Sequence, residues 1–204
     1  MSIQTLQRTR IDDDLKRELL HQYKMTKHLP PLIVGGQLLE LNSPNSNQWG
    51  ISGEDSGYLI DFATKRISEQ GIQLRADHSN HVRDVIGNVI ELQRFGNEVH
   101  FEGAIGDSDL AYKFLRSFLR YVSSQIHSDQ VLCSNCHSNV KMGIQNKQDL
   151  VKRGMYFSIK QGVQTHLCNN AFNLVKEPQL IEVSLVTLPA YSRAIAVPIG
   201  ILEE

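Results

Sequence analysis

The sequence predicts an α+β domain built around a mainly antiparallel β-barrel of about seven strands, surrounded by a few helices. Three observations carry this expectation. Short apolar runs alternate with polar residues and are punctuated by Gly, Pro and Asn. One stretch, residues 108–127, has a dominant apolar stripe at helical spacing. Strand and helix patterns do not alternate regularly, as they would in a parallel βαβ fold. At 204 residues the chain suits one well-buried domain with an appendage. The boundary is expected near residue 30, with a helical arm over 1–30 and the main domain over 31–204.

The arm is expected because residues 8–27 are rich in charge, with Leu15, Leu19, Leu20 and Tyr23 at helical spacing, and Pro30-Pro31 blocks continuation. Residues 31–41 (PLIVGGQLLEL) predict a strand with a Gly-Gly bend, and the Asn/Ser/Gly-rich residues 42–57 a loop. Tyr58–Phe62 and Gly71–Arg75 predict strand pieces around a short polar turn or helix. Residues 84–102 read as a hairpin, VIGNVIELQ and EVHFEG joined by a Phe-Gly-Asn turn. Asp107-Ser108 is a good N-cap for a helix over 108–127, whose stripe is Leu110, Phe114, Leu115, Phe118, Leu119, Val122 and Ile126. Residues 128–154 form a polar, cysteine-bearing insertion. Met155–Ile159, Val163–Cys168, Leu180–Val186 and Ala194–Ile201 complete the set of strands, and Pro189 ends the pairing of the third.

Composition narrows the functional classes. A net charge of −1 provides no bulk attraction to nucleic acid or anionic lipid, and no apolar run approaches a membrane span. The polar N-terminus lacks the apolar core of a secretion signal, and three cysteines cannot form a closed disulfide framework, so a cytoplasmic setting is expected.

Chemistry concentrates at three places. Leu180–Val186 is a buried strand with a carboxylate, Glu182, in its middle, and burying it is costly without a partner. Ser158 lies on the more polar face of Tyr156–Lys160, and His78 follows Asp77 just before the hairpin. A serine hydroxyl is a weak nucleophile until a neutral imidazole accepts its proton, and the imidazole needs a third group to fix its tautomer. Those roles fall to Ser158, His78 and Glu182. His81 is the rival base, and with His78 and an Asp it would be the core of a metal-dependent hydrolase. Asp77 or Asp84 could orient the imidazole instead, and Glu182 could simply form a salt bridge with Arg193. Ser184 shares the face of Glu182 and reads as a packing residue.

The segments DHSNHVRDVIGNVIEL (77–92), FSIKQG (157–162) and IEVSLVTLPAYSRA (181–194) resemble the three signature blocks of the tailed-phage prohead (capsid maturation) serine proteases. In that family a His precedes an Ile/Leu-Gly-x-Val hairpin, a Ser-Ile-Gly-Phe motif supplies the nucleophile, and a Glu-Val-Ser strand follows. The chain order agrees, with Ser158 about 80 residues after His78 and Glu182 about 24 beyond Ser158. The resemblance implies the barrel of the herpesvirus assembly proteases. It also implies an endopeptidase that cuts scaffold protein, the major capsid protein and itself within an assembling procapsid in the host cytoplasm. No cofactor is implied for catalysis. The chain departs from the family motif at Lys160, where the family has Gly; here Gly falls at 162. That departure keeps a catalytically degenerate, scaffold-binding assembly module as the alternative.

Cys133-x-x-Cys136 supplies two potential metal ligands, and His166 and Cys168, at i and i+2 of an expected strand, leave the same face and could complete a structural zinc tetrahedron. His137 is a spare ligand, and three unconnected reduced thiols are the alternative.

Overall fold

A computed structural model describes residues 8–79, 81–140 and 168–202, and its centre is a sheet closed on itself. The strands are β1 (Arg8–Arg10), β2 (Leu32–Glu40), β3 (Trp49–Ile51), β4 (Ile72–Ala76), β5 (Val85–Phe95), β6 (Glu98–Ile105), β7 (Tyr121–His127), β8 (Gln130–Cys133), β9 (Asn173–Lys176), β10 (Gln179–Val186) and β11 (Ile195–Leu202). The helices are α1 (Asp13–Thr26), α2 (Ser56–Glu69) and α3 (Ser108–Leu115). Seven strands run β11–β2–β6–β5–β4–β10–β7 around the barrel, and β7 returns to β11 through Ile195 and Tyr121. Flanking bonds secure the seam, Val122 N–H to Ala194 O at 3.1 Å and Ala196 N–H to Arg120 O at 2.7 Å.

The expected α+β barrel is therefore observed, and it is mainly antiparallel: β4 and β10 alone among the barrel pairs run parallel. Its interior is built from alternate residues of the strands, including Val34, Leu74, Phe101, Val122 and Val183, all at or below 2 % exposure. Outside the barrel, β1 pairs with β11, and β3, β9 and β8 form a small second sheet. In α1, Leu15 N–H donates to the Asp12 cap at 2.8 Å, and the helix buries Leu19 and Tyr23. The Tyr23 ring stacks on Tyr112 of α3 with centroids 4.3 Å apart.

Two expected elements are corrected, and the loop expected over 42–57 holds β3 and the start of α2. Tyr58–Phe62 is the first half of α2, not a strand. Its apolar cluster is equally compatible with either state over five residues, and the decision comes from Leu59, Ala63 and Ile67, spaced i, i+4, i+8, which meet the core. The helix expected over 108–127 ends at Leu115, Ser117 adopts a left-handed φ of 59°, and residues 121–127 form β7. Val122 and Ile126 are four apart, an even number, so they share a face in a strand as well as in a helix. Phe118, expected in the stripe, is 67 % exposed in the connection. The hairpin, β2, β4, β10 and β11 lie within one to three residues of their expected bounds. The strands expected at Met155–Ile159 and Val163–Cys168 lie outside the described residues, apart from Cys168 itself.

Gly87, in the Ile-Gly-x-Val block, has a packing reason to be glycine. A Cβ there would sit 1.8 Å from the carbonyl oxygen of Ala104 on β6, an overlap that only backbone movement relieves. Gly87→Ala should cost about 3 kcal/mol and lower the melting temperature by roughly 5–10 °C in thermal denaturation. An unchanged melting temperature would show that the two strands have room to part.

Candidate active site

Parallel pairing of β4 with β10 assembles the site. Glu182 is in register with Gln73, and Ser184 with Arg75, so these four residues share one face of the pair. Val183, Leu185 and Leu74 take the opposite face and are buried in the core. Both strands are irregular at the site: the β4–β5 register shifts between Leu74 and Arg75, and the β10–β7 register between Leu180 and Glu182. Such bulges turn side chains away from their regular direction.

Beyond β4 the chain makes a tight turn. Asp77 N–H continues the pairing to Leu185 O at 2.8 Å. Asp77 and His78 then both adopt a left-handed backbone with φ of 52°, a region that Asp and His occupy more readily than most residues. The turn brings His78 back over β10. Its Nδ1 lies 2.8 Å from Glu182 Oε1, and its backbone N–H donates to Ser184 Oγ at 3.2 Å. Consecutive left-handed non-glycine residues carry a backbone cost that surrounding structure must hold in place, and these two bonds do so.

Glu182 is 3 % exposed, and both of its oxygens are engaged. Oε1 receives the imidazole and the Ser184 hydroxyl, the latter at 2.9 Å, while Oε2 faces Arg75 Nε at 3.1 Å. Arg75 also donates to Gln73 Oε1 and to the carbonyl of Ser79, which ties the guanidinium to the turn bearing His78. The His78 side chain is 25 % exposed, and among the described residues its Nε2 has no hydrogen-bond partner.

His78 and Glu182 are thus brought together from positions 104 apart in sequence, and Ser158 lies outside the described residues. The other candidates are placed elsewhere. His81 is exposed and heads a short 3₁₀ turn. Asp77 is exposed, and Asp84 accepts the Ser79 hydroxyl. The cation beside Glu182 is Arg75, not Arg193, which is exposed and lines a separate cavity with Leu188 and Pro189. One site residue escaped sequence reasoning, Arg75, which had no distinguishing context, and Ser184, read from the sequence as a packing residue, also makes hydrogen bonds to Glu182 and His78. Position i+2 from Glu182 was the one available signal for Ser184.

Away from this site, the sulfurs of Cys133, Cys136 and Cys168 all lie within 4.8 Å of one another. Of the expected zinc ligands only His166 falls outside the described residues. No other group of His, Cys, Asp or Glu among the described residues converges in this way, and neither His78 nor His81 belongs to it. Among the described residues no helix is long and apolar enough to cross a membrane.

No family model and no curated protein matches the chain. Among solved structures it is similar to the capsid assembly protease of bacteriophage T4, with a TM-score of 0.48 and 14 % identity over 78 % of this chain and 82 % of that one. It is also similar to the KSHV protease in complex with a hexapeptide phosphonate inhibitor, with a TM-score of 0.38 and 13 % identity over 82 % of this chain and 64 % of that one.

Proposed function

We propose that the chain is a serine endopeptidase of the prohead type, in which Ser158 is the nucleophile, His78 the general base and Glu182 the residue that positions the base. The observation that carries this reading is the imidazole of His78, bound at Nδ1 by a buried carboxylate and, among the described residues, without a partner at Nε2. An ionised carboxylate at Nδ1 requires the proton there, which leaves the Nε2 lone pair free to accept one. Nε2 takes the proton of the Ser158 hydroxyl as its oxygen attacks the scissile carbonyl, and the imidazolium then passes that proton to the departing amine. Water, deprotonated by the same nitrogen, releases the acyl group from Ser158. Arg75 and Ser184 act through Glu182 and hold its carboxylate in one orientation.

The substrates in this reading are scaffold protein, the major capsid protein and the chain itself, cut within a procapsid in the host cytoplasm. An irreversible cut suits a one-way change from a scaffolded shell to a mature one. A backbone N–H near Ser158 would bind the oxyanion.

A fluorophosphonate probe tests the reading, because it reacts covalently with an activated serine. The expected result is one label per chain, found by mass spectrometry on the peptide holding Ser158. His78→Ala should abolish labelling and His81→Ala should leave most of it. Label on a different residue, or labelling independent of His78, would overturn the assignment. Intact, folded protein that takes no label and cuts no scaffold would favour the assembly-module alternative that Lys160 motivates.

A further inference from the structure

Three cysteines converge at one end of the β8–β9 pair, and the catalytic reading uses none of them. Cys133 ends β8 and is buried, Cys136 lies in the following turn and is exposed, and Cys168 is half-buried ahead of β9. Their sulfurs lie within 4.8 Å of one another, a spacing that three ligands on one ion can share. We infer that Cys133, Cys136 and Cys168 bind a structural zinc ion that clamps together the two ends of the chain segment between Cys136 and Cys168.

The backbone around the sulfurs forms two hydrogen-bonded turns. The turn after β8 closes with His137 N–H donating to Cys133 O at 2.9 Å and Cys133 N–H donating to Ser138 O at 2.9 Å. A second turn opens at Cys168, whose carbonyl accepts Ala171 N–H at 3.1 Å. The two turns are also bonded to each other. Ser134 N–H donates to Phe172 O and Phe172 N–H to Ser134 Oγ, both at 3.0 Å, and Asn135 Nδ2 donates to Asn169 O at 3.1 Å. The sulfurs therefore stand on a frame held by hydrogen bonds of its own.

Soft thiolate ligands select zinc among the common divalent ions, and three of them leave one tetrahedral position for a further ligand or water. Binding converts metal affinity into folding free energy. The ion would also fix the closure of a long segment, whose entropic cost then no longer falls on the β8–β9 contacts alone.

The test uses the full, tag-free chain purified under reducing conditions without chelator. Elemental analysis should find about one zinc per chain, and the three thiols should resist N-ethylmaleimide until a chelator is added. Chelation should lower the melting temperature by roughly 5 °C or more, and added zinc should restore it. Cys136→Ser, a change at an exposed side chain, should lose most of the zinc and the response to chelator. Zinc well below stoichiometric with a melting temperature indifferent to added zinc would overturn the site. So would iron in place of zinc, full zinc retention in Cys136→Ser, or an intact mass two hydrogens short that reveals a disulfide. The thiol-protection measurement on the unaltered chain keeps the question decidable if the variant fails to fold.

Discussion

Ser158→Ala protein should leave the coat and scaffold proteins, and the chain itself, uncut. Removing the nucleophile of a serine triad costs about 10⁶ in kcat, which on the timescale of co-expression is complete loss. The change deletes one hydroxyl oxygen, so circular dichroism and the melting temperature should match those of the unaltered chain. The readout is the intact mass of the chain and of co-expressed coat and scaffold proteins. Normal processing by Ser158→Ala would remove Ser158 from the mechanism. It would leave the oriented imidazole of His78 to be explained by a different nucleophile.

Glu182→Gln should act on rate and stability together. The amide is isosteric with the carboxylate, but it can present its NH₂ to Nδ1, and His78 then carries its proton on Nε2. That tautomer cannot accept a proton from a hydroxyl, and the same wrong-tautomer change in a measured serine protease triad lowers kcat about 10⁴-fold. Because binding of the peptide is not touched, KM should change little. Stability falls as well, since Arg75, with its side chain 15 % exposed, keeps its charge and loses the anion at 3.1 Å. Deleting one partner of a fully buried pair costs about 3–5 kcal/mol, and the partial exposure of Arg75 reduces this to roughly 1–3 kcal/mol. Single-turnover rates and thermal denaturation measure the two effects separately. A Glu182→Gln chain that cleaves at the unaltered rate would move the orienting role to water or to another carboxylate.

Much of the barrel was legible because a strand with one buried face writes its period into its own residues. The hairpin of β5 and β6 and the run from Leu180 to Val186 could be read in this way. Reading failed where neighbouring residues were compatible with two states. Val122 and Ile126 satisfy both the helical and the strand period, and Tyr58–Phe62 is too short for either period to show. In each case the decision came from packing partners distant in sequence. For β7 these are β10 and the seam with β11, and for α2 the barrel surface that covers Leu59 and Ala63.

The site divides in the same way. His78 and Glu182 could be proposed from the sequence, His78 by its place before a hairpin and Glu182 as a charge within an apolar strand. Their meeting depends on a parallel pairing between β4 and β10, and on two left-handed residues that turn the chain back after Ala76. Arg75 and Ser184 acquire their roles only through that register, in which they face the same carboxylate. The cysteines show the reverse balance, since Cys133, Cys136 and Cys168 could all be named from spacing and strand alternation, and the fold brings their sulfurs together. The sequence by itself determined the residue types, the strand periods, and which charge would need a partner. Only the tertiary structure decided which strands are neighbours, where the barrel closes and which cation meets Glu182. Period and propensity are set by residues within one or two turns of each other, whereas strand partners are chosen by the closure of the whole barrel around one core.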